Sequence, residues 1–135
     1  MMWPFAKPKP TPPGVIICNW LGEEIERVEG WNLEHKVLRL RDWRHVSLHV
    51  SLDGSDLSGT NMLGADLRGA SFRNCNLVAC EISYADASGC DFGSNMVGCL
   101  LYRSEMQKSK LHNVLLSEDS DIPKIKVLQT MRVGG

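Results

Sequence analysis

His45 and His49 stand four residues apart, the spacing that lets two imidazoles share a zinc ion from adjacent turns of a helix. Around them "HVSLHVSL" alternates polar and apolar residues, which predicts an extended segment and separates the two rings. Residues 53–59, "DGSDLSG", begin like a calcium loop but lack the alternating acids and the closing glutamate. Five cysteines (Cys18, Cys75, Cys80, Cys90 and Cys99) could build a disulfide or a metal site. There is no G-x-S-x-G, no phosphate-binding loop and no G-x-G-x-x-G, and no serine, histidine and acid stand together. No catalytic residue, metal ligand or cofactor is therefore expected, and the chain reads as a non-enzyme without a small-molecule substrate.

Four of the cysteines instead belong to a longer pattern. In "ADLRGASFRNCNLVACEISYADASGCDF", residues 65–92, every fifth residue is apolar: Leu67, Phe72, Leu77, Ile82, Ala87 and Phe92. On a helix, steps of five residues walk around the axis, and on a flat strand they alternate between faces, so each unit must contain its own bend. Two residues before each apolar position comes a small one: Ala65, Ala70, Cys75, Cys80, Ala85 and Cys90. Positions two apart share a side of an extended segment. Each unit thus points one small and one large residue inward and then turns a corner. Glycine often fills that corner, two residues after the large one, at Gly54, Gly59, Gly64, Gly69, Gly89 and Gly98. Backwards the large position continues through Met62 and Leu57 to Leu52. Forwards the unit at residues 90–93 is one residue short, after which Met96, Leu101, Met106, Leu111 and Leu116 resume the beat. From Leu52 to Leu116 this makes fourteen units, with Ala87 alone not bulky, and small partners from Val50 to Val114.

Such units cannot bury themselves singly and must stack. The stretch resembles the pentapeptide repeat family, whose signature A-(D/N)-L-x-x is carried by "ADLRG", "SDLSG", "CNLVA" and "CDFG". The resemblance implies an all-β fold, a right-handed quadrilateral β-helix with four units per coil, hence about 3.5 coils at ~4.8 Å per strand. Cys80 and Cys99 then lie one above the other with parallel side chains, a poor geometry for a disulfide, so reduced thiols and a cytoplasmic location are expected.

The reading divides the chain into a proline-rich arm (1–14), an N-terminal capping segment (15–49), the repeats (50–121) and a C-terminal tail (122–135). The arm, "MMWPFAKPKPTPPG", shows no signal peptide and carries two aromatic residues, Trp3 and Phe5, suited to docking on a partner. In the capping segment "VIIC" predicts a strand and residues 19–29 a short amphipathic helix, with Trp20, Trp31 and Trp43 packed over the first coil. The basic, alternating tail is suited to capping the far end or to pairing with another subunit as a homo-oligomer. No apolar run approaches the length of a membrane span.

With no cleft expected, function falls to the surface. The units of Met62, Ile82 and Leu101 share a face, and those of Leu67, Ala87 and Met106 another. The second carries Asp66, Asp86 and Glu105 outward; the first carries Leu63, Tyr84, Leu100 and Tyr102, with Val78 and Val97 one side further round. Outward apolar residues on a free-standing tower mark an interface. The expected function is a non-enzymatic interaction or assembly module, such as a component of a phage virion, binding a protein partner through these residues and the arm. The family resemblance implies an alternative, a mimic of duplex DNA that modulates DNA gyrase. Mimicry needs dense negative charge along a long rod, whereas residues 50–123 hold ten acids against five basic residues and the whole chain has a net charge of −1. Direct nucleic-acid binding would need a basic stripe, and none is present.

Overall fold

The computed structural model describes residues 8–111, 114–117 and 131–134. Its strands are β1 (Val15–Asn19), β2 (Glu24–Val28), β3 (Val46–Ser47), β4 (Ser71–Asn76), β5 (Asp91–Met96), β6 (Lys110–Leu111), β7 (Val114–Ser117) and β8 (Met131–Gly134). The described residues contain no helix, and so none long and apolar enough to cross a membrane.

Most of the chain rises by parallel pairing of each unit with the one four units earlier. Ser51 pairs with Ser71, Asp56 with Asn76, Asn61 with Glu81 and Asp66 with Asp86, each 20 residues apart. Backbone bonds tie these rungs, for example Leu57 N–H to Asn76 C=O at 2.8 Å and Asn76 N–H to Ser55 C=O at 3.0 Å. The inward side chains stack in four columns: Leu33, Leu52, Phe72, Phe92 and Leu111; Leu38, Leu57, Leu77 and Met96; Trp43, Met62, Ile82 and Leu101; Leu48, Leu67, Ala87 and Met106. All are buried. The small positions from Ser55 to Ser109 are buried as well, and the hydroxyls of Ser55, Thr60, Ser94, Ser104 and Ser109 and the thiols of Cys75, Cys80 and Cys90 donate to backbone carbonyls inside the stack, as in Thr60 Oγ1 to Leu38 C=O at 2.7 Å and Cys80 Sγ to Leu57 C=O at 3.0 Å. A small polar side chain is thus stable inside because the corner carbonyl beside it has a spare lone pair.

Each corner closes with a bond from the small residue's N–H to the C=O of the preceding large residue, as in Ser55 to Leu52 (3.1 Å) and Ala70 to Leu67 (3.0 Å). Outside the two four-residue steps, after Leu48 and after Phe92, the residue two after the large one takes positive φ from His35 to Lys108, whether it is glycine, as at Gly64 (65°), or not, as at His45 (59°), Tyr84 (58°) and Arg103 (52°). The ladders on either side impose this conformation even where a Cβ makes it costly.

The stack starts earlier than the sequence pattern suggests. Leu33, Leu38, Trp43 and Leu48 form a first coil, joined to the next by the pairs Val37–Asp56, Asp42–Asn61 and Ser47–Asp66. A four-residue step from Leu48 to Leu52 hides it. Val50, expected as a small inward residue, falls in that step and is exposed. Trp43, expected over the coil, is an inward member of it, whereas Trp20 and Trp31 lie exposed.

The expected helix at residues 19–29 is instead a hairpin. β1 and β2 pair antiparallel, and β1 pairs with β3, so the order is β2-β1-β3. Asn19 Oδ1 accepts the N–H groups of Leu21 (2.9 Å) and Glu23 (3.0 Å), and Gly22 has φ of 81°. That turn chemistry breaks a helix. The open end of the first coil presents unpaired backbone, and a strand can satisfy it where a helix cannot. Ile17 and Val28 are buried there, and Glu26 receives Trp43 Nε1–H and the Arg41 guanidinium (2.9 Å). At the other end β7 pairs in parallel with both β5 and β8, so Met131–Gly134 adds a rung within its own chain.

Candidate interaction surface

The third column carries the outward residues singled out in the sequence. Pairing Glu81 with Leu100 sets successive rungs one above the other, and Tyr84 N–H donates to Tyr102 C=O at 2.9 Å. The two rings meet edge to face with centroids 5.7 Å apart, and the Arg103 guanidinium lies 5.5 Å from the Tyr102 centroid. Leu100 is 54% exposed, Tyr84 57% and Tyr102 45%. Leu63 is half-buried and stands apart from Tyr102, because Ser83 occupies the rung between them. Val78 and Val97 are half-buried and adjacent around the corner, with Ala79 N–H donating to Val97 C=O at 3.0 Å. Trp3 and Phe5 lie outside the described residues.

The sequence reading missed an extension of this surface. Val37 and Leu40 are exposed and, with Gly59, Val78 and Ala79, line an open groove of about 630 Å³. Both belong to the first coil, so continuing the five-residue beat backwards past Leu48 would have found them.

The acidic column differs in kind. Asp66, Asp86 and Glu105 stack through successive pairs. Arg68 reaches Asp66 at 2.8 Å and Asp86 at 3.9 Å, and its guanidinium holds the Asp66 carboxyl below the usual carboxylate range. The position before each large residue also has a local task. Asp56 accepts the N–H of Ser58, Asn61 that of Leu63, Asn76 that of Val78 and Asp86 that of Ser88, all at 3.0–3.1 Å. Aspartate and asparagine recur there because their side chains cap the corner that follows.

The thiols of Cys75, Cys80, Cys90 and Cys99 are buried. Burial pushes the Cys75 thiol up to about 11 and those of Cys80 and Cys90 to about 12, and raises Cys99 well above the ordinary value. A thiol so displaced is no nucleophile at neutral pH. His35 and His45 occupy corners, whereas His49 is bound through Nδ1 to the Arg68 carbonyl at 2.8 Å. Among the described residues no three His, Cys, Asp or Glu side chains are grouped to hold a metal ion.

Residues 55–92 match the family model for pentapeptide repeats in eight copies. No curated protein matches the chain in sequence. Among solved structures it is similar to a pentapeptide repeat protein of the Arabidopsis thaliana thylakoid lumen, at 20% identity and a TM-score of 0.57 over 74% of this chain. The chain spans 61% of that protein's length, and the likeness is one of fold. A pentapeptide repeat protein of Nostoc matches at 22% identity and a TM-score of 0.37, covering 77% of this chain and 84% of its own. A trypsin-treated form of QnrB1, a plasmid-mediated fluoroquinolone resistance protein, matches at 21% identity and a TM-score of 0.30, covering 62% of this chain and 55% of its own. The five-residue beat, the 20-residue pairing and the matched segment converge: residues 55–92 are a run of pentapeptide repeats.

Proposed function

We propose that this protein is a non-enzymatic interaction or assembly module whose coils form a right-handed quadrilateral β-helix. It binds a protein partner along the edge made by Val78, Tyr84, Val97, Leu100 and Tyr102, with Leu63 at its margin and the aromatic arm residues Trp3 and Phe5 as further anchors. One observation carries this reading: Tyr84, Leu100 and Tyr102 are each about half exposed on two adjacent rungs tied by Ile82 N–H to Leu100 C=O at 2.7 Å and Tyr84 N–H to Tyr102 C=O at 2.9 Å. Their burial would gain about 25 cal/mol per Å² with little ordering cost, because the scaffold is already fixed. A part of a larger particle made in the cytoplasm, such as a phage virion, fits this role. The acidic column suits mimicry of DNA poorly, since its carboxylates are engaged by Arg68 and by their own corners. The test is the native mass of the protein isolated from its source, with any bound chains identified. A stoichiometric protein partner is expected; a lone monomer contradicts the reading.

A further inference from the structure

One corner of the stack carries a line of aromatic residues that the apolar edge does not account for. Trp20, at the hairpin tip, meets His45 edge to face at 4.9 Å. His45 lies over Gly64, one coil further on, where a Cβ would stand 2.7 Å from its Nδ1 and 3.8 Å from Trp20 Cζ2. The next residue in this corner column is Tyr84. Because Gly64 has no side chain, the line is interrupted by a notch of about 310 Å³, walled by Trp20 and Tyr84 and bordered by Asp66, Arg68 and Asp86.

We propose that this notch binds a basic proline-rich segment in the polyproline II conformation, and that its occupant is residues 7–13 of a second copy of this chain. Two aromatic walls across a shallow gap are the recurring means of gripping a polyproline II segment, whose prolines bring rings and no N–H that needs pairing. Residues 7–13 read "KPKPTPP", four prolines with Lys7 and Lys9 between them. Two carboxylates against one guanidinium leave the border of the notch acidic, and Asp86, 3.9 Å from Arg68, has charge to share with a lysine. The arm of the same molecule leaves elsewhere. Pro13 C=O accepts from Arg27 at 3.3 Å and Gly14 N–H donates to Gly30 C=O at 3.2 Å, at the root of the hairpin. Trp20 stands at its tip, a five-residue strand away, about 17 Å. Residues 8–13 are largely exposed and none of them lines the notch.

The proposal rests on the reading of the outer surface as an interaction surface, and its test is kept off the apolar edge. Sedimentation of the full chain over a concentration series is expected to show reversible self-association. Trp20→Ala, at an exposed position, should weaken it about 30-fold. Lys7→Glu with Lys9→Glu should weaken it several-fold, more at low salt. A synthetic peptide of residues 1–13 in excess should dissociate the assembly, whereas Lys110→Ala, exposed on another column, should leave it unchanged. A monomer at every concentration overturns the proposal, as does association that survives Trp20→Ala or the competing peptide. Association lost with Leu100→Ala and kept with Trp20→Ala also overturns it, while leaving the apolar edge as a working interface.

Discussion

Phe92 lies flat on Phe72 one coil earlier, the ring centroids 5.3 Å apart and the planes 6° from parallel. This stack stands where the repeat loses a residue. The short unit at residues 90–93 gives up its corner: β5 runs straight from Asp91 to Met96, whereas the unit opposite keeps the ordinary corner at Asn74 (φ of 54°), so the register shifts between Arg73 and Asn76. The pairing then continues at 19 residues, Glu81 with Leu100 and Asp86 with Glu105. The slip is thus a local bulge within one stack. Native-state hydrogen exchange should show the rungs before and after Gly93 opening together; two units opening independently at Gly93 would contradict this. A double-mutant cycle on Phe72→Leu and Phe92→Leu should return a coupling of about 0.5–1.5 kcal/mol.

Leu77 is wholly buried in the second column and Leu63 half-buried on the outside. Leu77→Asp places a carboxylate in the core without a partner and should cost several kcal/mol. Leu63→Asp should cost about 1 kcal/mol or less, within the range of ordinary surface changes. Chemical denaturation of the two variants checks the inward and outward register, and an unchanged midpoint for Leu77→Asp would refute it.

Gly64 and Gly69 share the corner conformation, at φ of 65° and 72°, but differ in what lies above them. A Cβ on Gly69 would have nothing within 4 Å, whereas one on Gly64 would press on the His45 ring. Gly69→Ala should cost about 1–2 kcal/mol for the left-handed backbone alone. Gly64→Ala should cost more, and His45→Ala in the same chain should recover the difference. Equal losses in both single variants would show that the first coil does not press on the second there.

The buried thiols give a pH dependence. Burial favours the neutral form and raises the folded-state values of Cys75, Cys80 and Cys90 from 9.0 to about 11–12. A raised value contributes stability that is complete below the unfolded value and is lost as pH climbs through the folded one. The melting temperature should therefore hold up to about pH 9 and fall progressively between about 9 and 12. Under native conditions at neutral pH an alkylating reagent should modify Cys75, Cys80, Cys90 and Cys99 only as fast as the chain unfolds. Rapid labelling of Cys80 would contradict its burial.

The repeats were legible because each unit states its fold locally: a large residue, a small one two before it, and a corner residue two after. Their stacking follows from the failure of any single unit to bury itself. The hairpin was not legible, since "EEIERV" suits an amphipathic helix as well as a strand and only the open backbone of the first coil decides between them. The first coil was hidden by one missing residue between Leu48 and Leu52, and with it Val37 and Leu40. The aromatic notch depends on a contact between the hairpin tip and a corner 25 residues further on, which no local pattern reports. The apolar edge was visible once the columns were known, because Leu100 and Tyr102 flank the inward Leu101 in sequence as they do in space.

The central claim is that this surface binds through apolar contact along Leu100 and Tyr102 rather than through the charge of Asp66 and Asp86. Large side chains leaving water dominate over exposed ion pairs, which give about 0–1 kcal/mol each and weaken with salt. The most direct measurement is the affinity of the isolated natural partner for two variants at low and at moderate salt, one carrying Leu100→Ala and Tyr102→Ala, the other Asp66→Asn and Asp86→Asn. Asparagine preserves the corner caps and removes only the charge. The account predicts strong loss of binding in the first variant, little in the second, and weak salt dependence in the unmodified protein. Full binding by the first variant, with loss in the second and steep weakening as salt rises, would contradict it.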